Sequence, residues 1–489
     1  RDLIEIIDRS TPLFKDSRAL PCPPEGLMIC PKIFAGIAMT VALYIQMMRI
    51  HSKLWLPGLG LLLLVTVFAA ELPAGTTHKP GADGRVPRPE RPNPSQILAY
   101  IPSRDQNSDD AKRHRKSCAD PNSWCTWEHT FGGALQDKAY GIASLPDDGL
   151  IVVGNSRSQQ SLEYNAWILR LSRDGKILWE RSFGGSSSDQ LYAVASTPDG
   201  GVVVAGHTRS KGAGKSDVWI LRLNLDGELL WERTFGGLEN DRARTIDAMA
   251  DGGFVIAGMT QSYGSPQGDA WIIKLDSKGR RQWDRSYGGN EEYAIFSIAA
   301  LPDSSAIATG YTNKGKSHGF ELWVIRLSSH GDRIWDRQYG RGIFDAGTAI
   351  LPAVDGGAMV AGVTSDDGFQ GDDAWIIRLD ASGHVIWDQT FGGPKPDSAW
   401  SVVEMPGTGY AVTMATLSYG AGSSDAWVIC LNDDGAVIWQ RLFGGQLWDR
   451  PTTAALTQDG GLAVAGYTTT TGAGYEDFWV FRVDARGRF

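Results

Sequence analysis

The chain has 489 residues, a net charge of −9, 42% hydrophobic and 21% charged residues. That balance is globular and long enough for two or three ordinary domains or one large repeat domain. The acidic charge argues against a nucleic-acid partner. Gly 59 and Trp 18 are both high, which suits many tight turns and many large buried rings.

In chain order, residues 1–47 are read as upstream or leader sequence. Residues 48–70, "MRIHSKLWLPGLGLLLLVTVFAA", have the form of a secretory signal peptide. Arg49, His51 and Lys53 precede an apolar run from Leu54 to Phe68, and Val67-Phe68-Ala69 gives the cleavage spacing. A second apolar run, 33–48, leaves a membrane hairpin or signal anchor open. The membrane is therefore a partner only if the leader stays uncleaved. Residues 71–117 are poor in apolar groups and rich in Pro, Arg and Asp, the composition of a disordered linker. Their basic cluster, Lys112 to Lys116, reads as a solvated linker face. Cys118 and Cys125 flank a short polar segment. In an exported protein they can close a small disulfide loop, with two free thiols as the alternative. Cys430 reads as a small core residue within a strand.

From residue 118 to 489 the chain repeats. Trp127, Trp179, Trp231, Trp283, Trp335, Trp387 and Trp439 recur every 52 residues. So do Trp167, Trp219, Trp271, Trp323, Trp375, Trp427 and Trp479, and the two series hold 14 of the 18 tryptophans. Within a unit, "LYAVAST", "GVVVAGHT", "VWILRLN" and "ELLWERTFGG" read as four short strands joined by Asp-Gly turns and one longer loop. Four strands per repeat predict an all-β fold, a seven-bladed β-propeller of four-stranded antiparallel blades. The array opens on a fourth-type strand and the seventh unit lacks one. The segment around Trp127 is therefore predicted to complete the last blade and close the ring.

The residue after each first-series Trp is acidic six times out of seven: Glu128, Glu180, Glu232, Asp284, Asp336, Asp388, then Gln440. Three after each second-series Trp stands a cation, Arg170, Arg222, Lys274, Arg326, Arg378 and Arg482, with Cys430 the exception. Equal hairpin arms predict that these charges face one another, and that ring closure pairs Arg482 with Glu128. A carboxylate recurs at Asp137, Asp189, Asp241, Asp345, Asp397 and Asp449, with Tyr293 as the exception. It is expected to cap loop amides, although a ring of carboxylates around a cation is the alternative. The remaining loops vary and emerge on one face. There the inner strands offer Tyr140, Tyr192, Arg244, Phe296, Thr348, Trp400 and Thr452, with Lys138, Arg242 and Arg450 beside them. Rings with cations around a channel mouth suit sugars, peptides or anionic ligands; channel plugging is the alternative.

The unit "DGGFVIAGMTQSYGSPQGDAWIIKLDSKGRRQWDRSYGG" resembles a tandem-repeat propeller of secreted prokaryotic proteins, over residues 124–489. The resemblance implies export, to the periplasm, cell surface or medium, and seven blades, but no reaction. The turn-to-Trp stretch is also similar to the tryptophan-docking motif of quinoprotein dehydrogenases, which bind pyrroloquinoline quinone and calcium. Here the turn is one residue shorter, Lys278 stands where those proteins carry Thr, and there is no adjacent Cys pair. Their cofactor and ligands are not carried over.

No HExxH, GxSxG or P-loop motif is present. The expected function is non-catalytic binding of an extracellular glycan, peptide or protein by a monomer. A quinoprotein-like oxidoreductase or a carbohydrate-active lyase or hydrolase is the alternative. No cofactor is expected. Calcium remains open at the acidic loop Asp366, Asp367, Asp372 and Asp373, which lacks the spacing of a known calcium loop.

Overall fold

The computed structural model describes Cys118 and residues 124–157, 163–313, 319–365 and 371–489. The predicted leader, signal and linker (1–47, 48–70 and 71–117) lie outside the described residues, as do Asp366 and Asp367.

Alternating and β-branched segments of five to nine residues form 28 antiparallel strands among the described residues. They assemble into seven four-stranded blades. Blade 1 spans 137–183, blade 2 189–235, blade 3 241–287, blade 4 292–339, blade 5 344–391 and blade 6 397–443. Blade 7 takes its three inner strands from 449–483 and its outer strand from Trp127–Phe131, which pairs antiparallel with Asp477–Val483. The ring is thus closed by strand exchange between distant parts of the chain. A single parallel bridge, Phe320 to Phe344, also links blades 4 and 5.

The core lies between blades. The second strand Val202–Thr208 and third strand Asp217–Leu223 are buried at every position, because neighbouring blades cover both faces. Each of the seven seams carries one second-series tryptophan. Trp219 packs on Ile151 and Ile168 of blade 1, Trp323 on Val255 and Ile272 of blade 3, and Trp479 on Val428 of blade 6. Burying one indole removes roughly 200 Å² from water, a gross gain of about 5 kcal/mol.

The first-series tryptophans lock the blades from outside. The Trp179 indole N–H donates to the Leu225 carbonyl of blade 2 at 2.8 Å, and the same bond joins Trp127 to Arg173 and Trp439 to Ala485. Each ring lies against the turn glycine of the next blade. Gly279, at φ 74°, would bring a Cβ to 3.1 Å from the Trp231 ring. Glycine is needed there both for the left-handed backbone and for the close approach.

The predicted charge pairing is corrected. Across the hairpin Lys274 pairs with Trp283, and Asp284 with Ile273. A bulge at Lys274/Leu275 adds one residue to the outer arm. A one-residue slip moves a side chain to the other face of the sheet. At the closure, likewise, Arg482 opposes Trp127 while Glu128 opposes Phe481. The anions instead accept the second-series indoles. Trp479 Nε1 donates to Glu128 at 2.8 Å, Trp271 to Asp284 at 3.2 Å and Trp427 to Gln440 at 3.1 Å. Gln440 therefore accepts its indole as the acids do elsewhere, although Glu232, Asp284 and Asp336 also meet a cation. The cations reach carboxylates of the first turn: Lys274 to Asp251 at 2.8 Å and Arg378 to Asp355 at 2.6 Å. Cys118 and Cys125 are joined by a disulfide beside the closing strand. Cys430 is buried as a free thiol, and burial pushes its pKa up to about 11.

Candidate ligand-binding site at the channel mouth

Seven β-bulges build the mouth. Every inner strand breaks register once, and the extra residue is Tyr140, Tyr192, Arg244, Phe296, Thr348, Trp400 or Thr452. A bulge re-aims its side chain out of the pleat. All seven are partly exposed. The inner strands contact one another around the ring, so the seven side chains share one rim.

The rim is not uniform. Thr348 and Thr452 close it structurally. Each hydroxyl lies within hydrogen-bond reach of two carbonyls and donates its one hydrogen between them, the nearer being on the next blade: Ala399 at 2.8 Å and Ala139 at 2.9 Å respectively. Phe296 joins an aromatic patch with Tyr311, Phe320 and Phe344, successive ring centroids lying 5.2–5.5 Å apart. Elsewhere a cation from one blade covers a ring on the preceding blade. Arg244 lies 4.5 Å from the Tyr192 centroid, Arg450 5.1 Å from Trp400, and Lys138 4.8 Å from Tyr467. Cation–π contacts of this kind hold guanidinium groups without neutralising them. Trp400 is fixed further by donating to Ser398 at 2.9 Å, and Tyr192 by donating to Gln190.

Burial first, then the neighbouring phenols of Tyr192, Tyr467 and Tyr164, pushes Tyr140 well above its ordinary value, so its hydroxyl stays protonated. Burial is also the main reason that Arg242 falls to about 10 and His207 lies well below its usual range; Arg244 and Arg209 push both the same way. His207 is therefore neutral at pH 7.

Counting residues from the tryptophans places the rim and its three flanking cations, but gives His207 no role there. It belongs to the column Asn155, His207, Met259, Tyr311, Val363, Ala415 and Tyr467, each opposite the residue after the recurring carboxylate position. That column also repeats every 52 residues with changing identity, a signal available from alignment of the units.

The recurring carboxylates serve the loops. Asp137, Asp189, Asp241 and Asp397 each accept a glycine amide at 2.8 Å, and Asp345 and Asp449 accept amides at 2.9 and 2.6 Å. Tyr293 departs from the set and packs edge-on against Trp323. Among the described residues, no three His, Cys, Asp or Glu side chains converge as a metal cluster. Asp372 and Asp373 begin the third strand of blade 5, and burial raises Asp372 above the ordinary carboxylate value.

Fold and site together define a seven-bladed β-propeller whose repeated residues build the ring and whose non-repeated residues face the mouth. No family model matches the chain. It is 23% identical over 377 residues, 62% of its length, to the regulatory protein FlaEY of Caulobacter vibrioides, of which 39% is covered. It is 26% identical over 167 residues, 33% of its length, to the outer membrane protein assembly factor BamB of Shewanella oneidensis, again over 39% of that protein. The chain thus spans about two-fifths of the curated relatives that it matches. Among solved structures, the Neurospora crassa Pan2 WD40 domain is similar at 14% identity and a TM-score of 0.46, over 72% of this chain and 91% of that one. Among the described residues no helix is long and apolar enough to cross a membrane.

Proposed function

We propose that this protein is an exported, monomeric, non-catalytic binding module. It engages an extracytoplasmic glycan, peptide or protein through its variable loops and channel mouth. The observation that supports this reading is the bulge register: seven equivalent positions point at one rim and carry Tyr, Tyr, Arg, Phe, Thr, Trp and Thr. The two tryptophan series and the glycines of the outer turns recur in every blade, whereas this register does not. Rigid scaffolds commonly carry binding groups on such edges. Similarity to an outer membrane protein assembly factor supports a cell-envelope setting.

A glycan and peptide array probed with the full chain tests the reading. A bound class whose affinity falls about tenfold or more in Trp400→Ala and in Arg450→Gln is the expected result. A silent array, or binding indifferent to both substitutions, overturns it.

A further inference from the structure

Five arginine or lysine side chains are buried among the described residues: Arg222, Arg242, Lys274, Arg378 and Arg482. Four meet carboxylates: Asp199, Asp251, Asp355, and the pair Asp148 and Asp459. Arg242 meets none. It is 3% exposed, its Nη1 is buried without a hydrogen-bond partner, and its Nε reaches only Ser216 Oγ at 3.5 Å.

The groups facing Arg242 deepen the imbalance. They are Tyr192, Arg244 and Arg209, and His207 faces the same three arginines. The nearby acids are committed elsewhere. Asp241 accepts from the Gly237 amide, Thr260 and Ser262, and Asp189 from the Gly185 amide, Thr208 and Ser210. Glu292 accepts the Tyr311 hydroxyl at 2.6 Å. Three guanidinium groups therefore share one sector with no carboxylate turned toward Arg242 or His207. A buried charge persists at a cost unless an opposite charge meets it.

We propose that the blade 2–3 sector of the mouth is an oxyanion site that takes a carboxylate or phosphate group. The proposal deepens the binding reading above and rests on it. Arg242 supplies a fixed charge from beneath, where low polarizability extends its reach. Arg244, part-exposed on its bulge, and Arg209, exposed at the end of the neighbouring strand, supply the accessible donors. Tyr192 orients Arg244. Neutral His207 fills the space behind Tyr192, ring centroids 5.7 Å apart, without adding a fourth positive charge. Guanidinium forks match the planar, two-oxygen end of a carboxylate and the oxygens of a phosphate.

The test titrates the full chain with inorganic phosphate, with acetate and with a glutamate-rich peptide, against sodium chloride at equal ionic strength. Binding is read by calorimetry and melting temperature. Oxyanions are expected to bind and to raise the melting temperature beyond chloride. Arg242→Met and Arg244→Gln are each expected to weaken that binding about tenfold or more. In chloride alone Arg242→Met should melt no lower than the wild type, because it removes an uncompensated buried charge. A peptide that binds well above phosphate and acetate assigns the group to a macromolecular ligand, and equal binding assigns it to the free anion. Oxyanions acting no more than chloride, or responses that survive Arg242→Met, overturn the site. Array binding that persists after such a failure leaves the broader binding reading standing. Oxyanion binding with a silent array does the reverse.

Discussion

Arg482 Nη2 donates to Asp148 Oδ2 at 2.6 Å across 334 residues of chain. The same guanidinium lies 2.8 Å from Asp459, and its side chain is fully buried. Asp459 belongs to blade 7 and Asp148 to the first turn of blade 1, so one cation ties the closing blade to its neighbour. Arg173 of blade 1 reinforces the tie, 2.8 Å from Asp148 and 3.7 Å from Asp459. Arg482→Ala leaves two poorly solvated carboxylates to Arg173 alone and is expected to cost about 3 kcal/mol, the low end for a broken buried pair. Arg378→Ala, whose partner Asp355 is 53% exposed, should cost about 1 kcal/mol. Urea unfolding of the two variants, at unchanged denaturant slope, checks the contrast; equal costs would show that Arg482 has no special place in closure.

This clasp explains what could and could not be read from the sequence. Blade number, strand number and closure were legible because they depend on the 52-residue spacing, which survives any local irregularity. The partner of Arg482 was not, because its register was inferred from that of the hairpins in the other blades, which assumed equal arms. The outer arm carries one extra residue beside the turn in each hairpin of blades 1 to 6, as at Lys274/Leu275. At the mouth, the bulges placed Tyr140, Tyr192 and Trp400 on the predicted rim. No local pattern announces a bulge, and neither Arg244 over Tyr192 nor His207 behind it follows from spacing within a single strand.

Gly279 tests the tryptophan lock. Gly279→Ala has two costs: a left-handed backbone at φ 74° and a Cβ 3.1 Å from the Trp231 ring. Gly252 has φ 80° and nothing within 4 Å of its virtual Cβ, so Gly252→Ala has only the first. The backbone term is about 1–2 kcal/mol. Gly279→Ala should exceed Gly252→Ala by about 1 kcal/mol or more, as overpacking does. Equal losses in melting experiments would mean that the docked ring yields freely.

Asp247 makes stability depend on pH in an unusual direction. Its carboxylate accepts the Ala300 amide of blade 4 at 2.9 Å and the Ala248 amide at 2.8 Å, but burial outweighs both bonds and raises its pKa. A carboxyl whose folded pKa lies above its unfolded value favours the folded state at acid pH. That contribution is lost as pH rises through the folded pKa. Asp247→Asn cannot titrate, so it should gain on the wild type as pH rises from the ordinary carboxylate range to the folded pKa, and hold a constant lead above it. Urea midpoints of both proteins across that range check it; a constant difference would sink the assignment.

Gln440 separates the two explanations for the recurring acids. If they existed to neutralise the cations opposite, Gln440 would be idle beside Cys430, and Gln440→Met would be harmless. In the structure Gln440 Oε1 accepts the buried Trp427 indole N–H at 3.1 Å. Gln440→Met removes that acceptor and leaves an unsatisfied donor in a dry seam, a loss of about 1–3 kcal/mol. Gln440→Glu restores the residue type of the other blades and keeps an acceptor for the indole. It should retain most of the stability without any cation at position 430. Denaturant midpoints rank the three proteins: wild type and Gln440→Glu above Gln440→Met. If Gln440→Met matched the wild type, the acids would need another explanation than the indoles that they face.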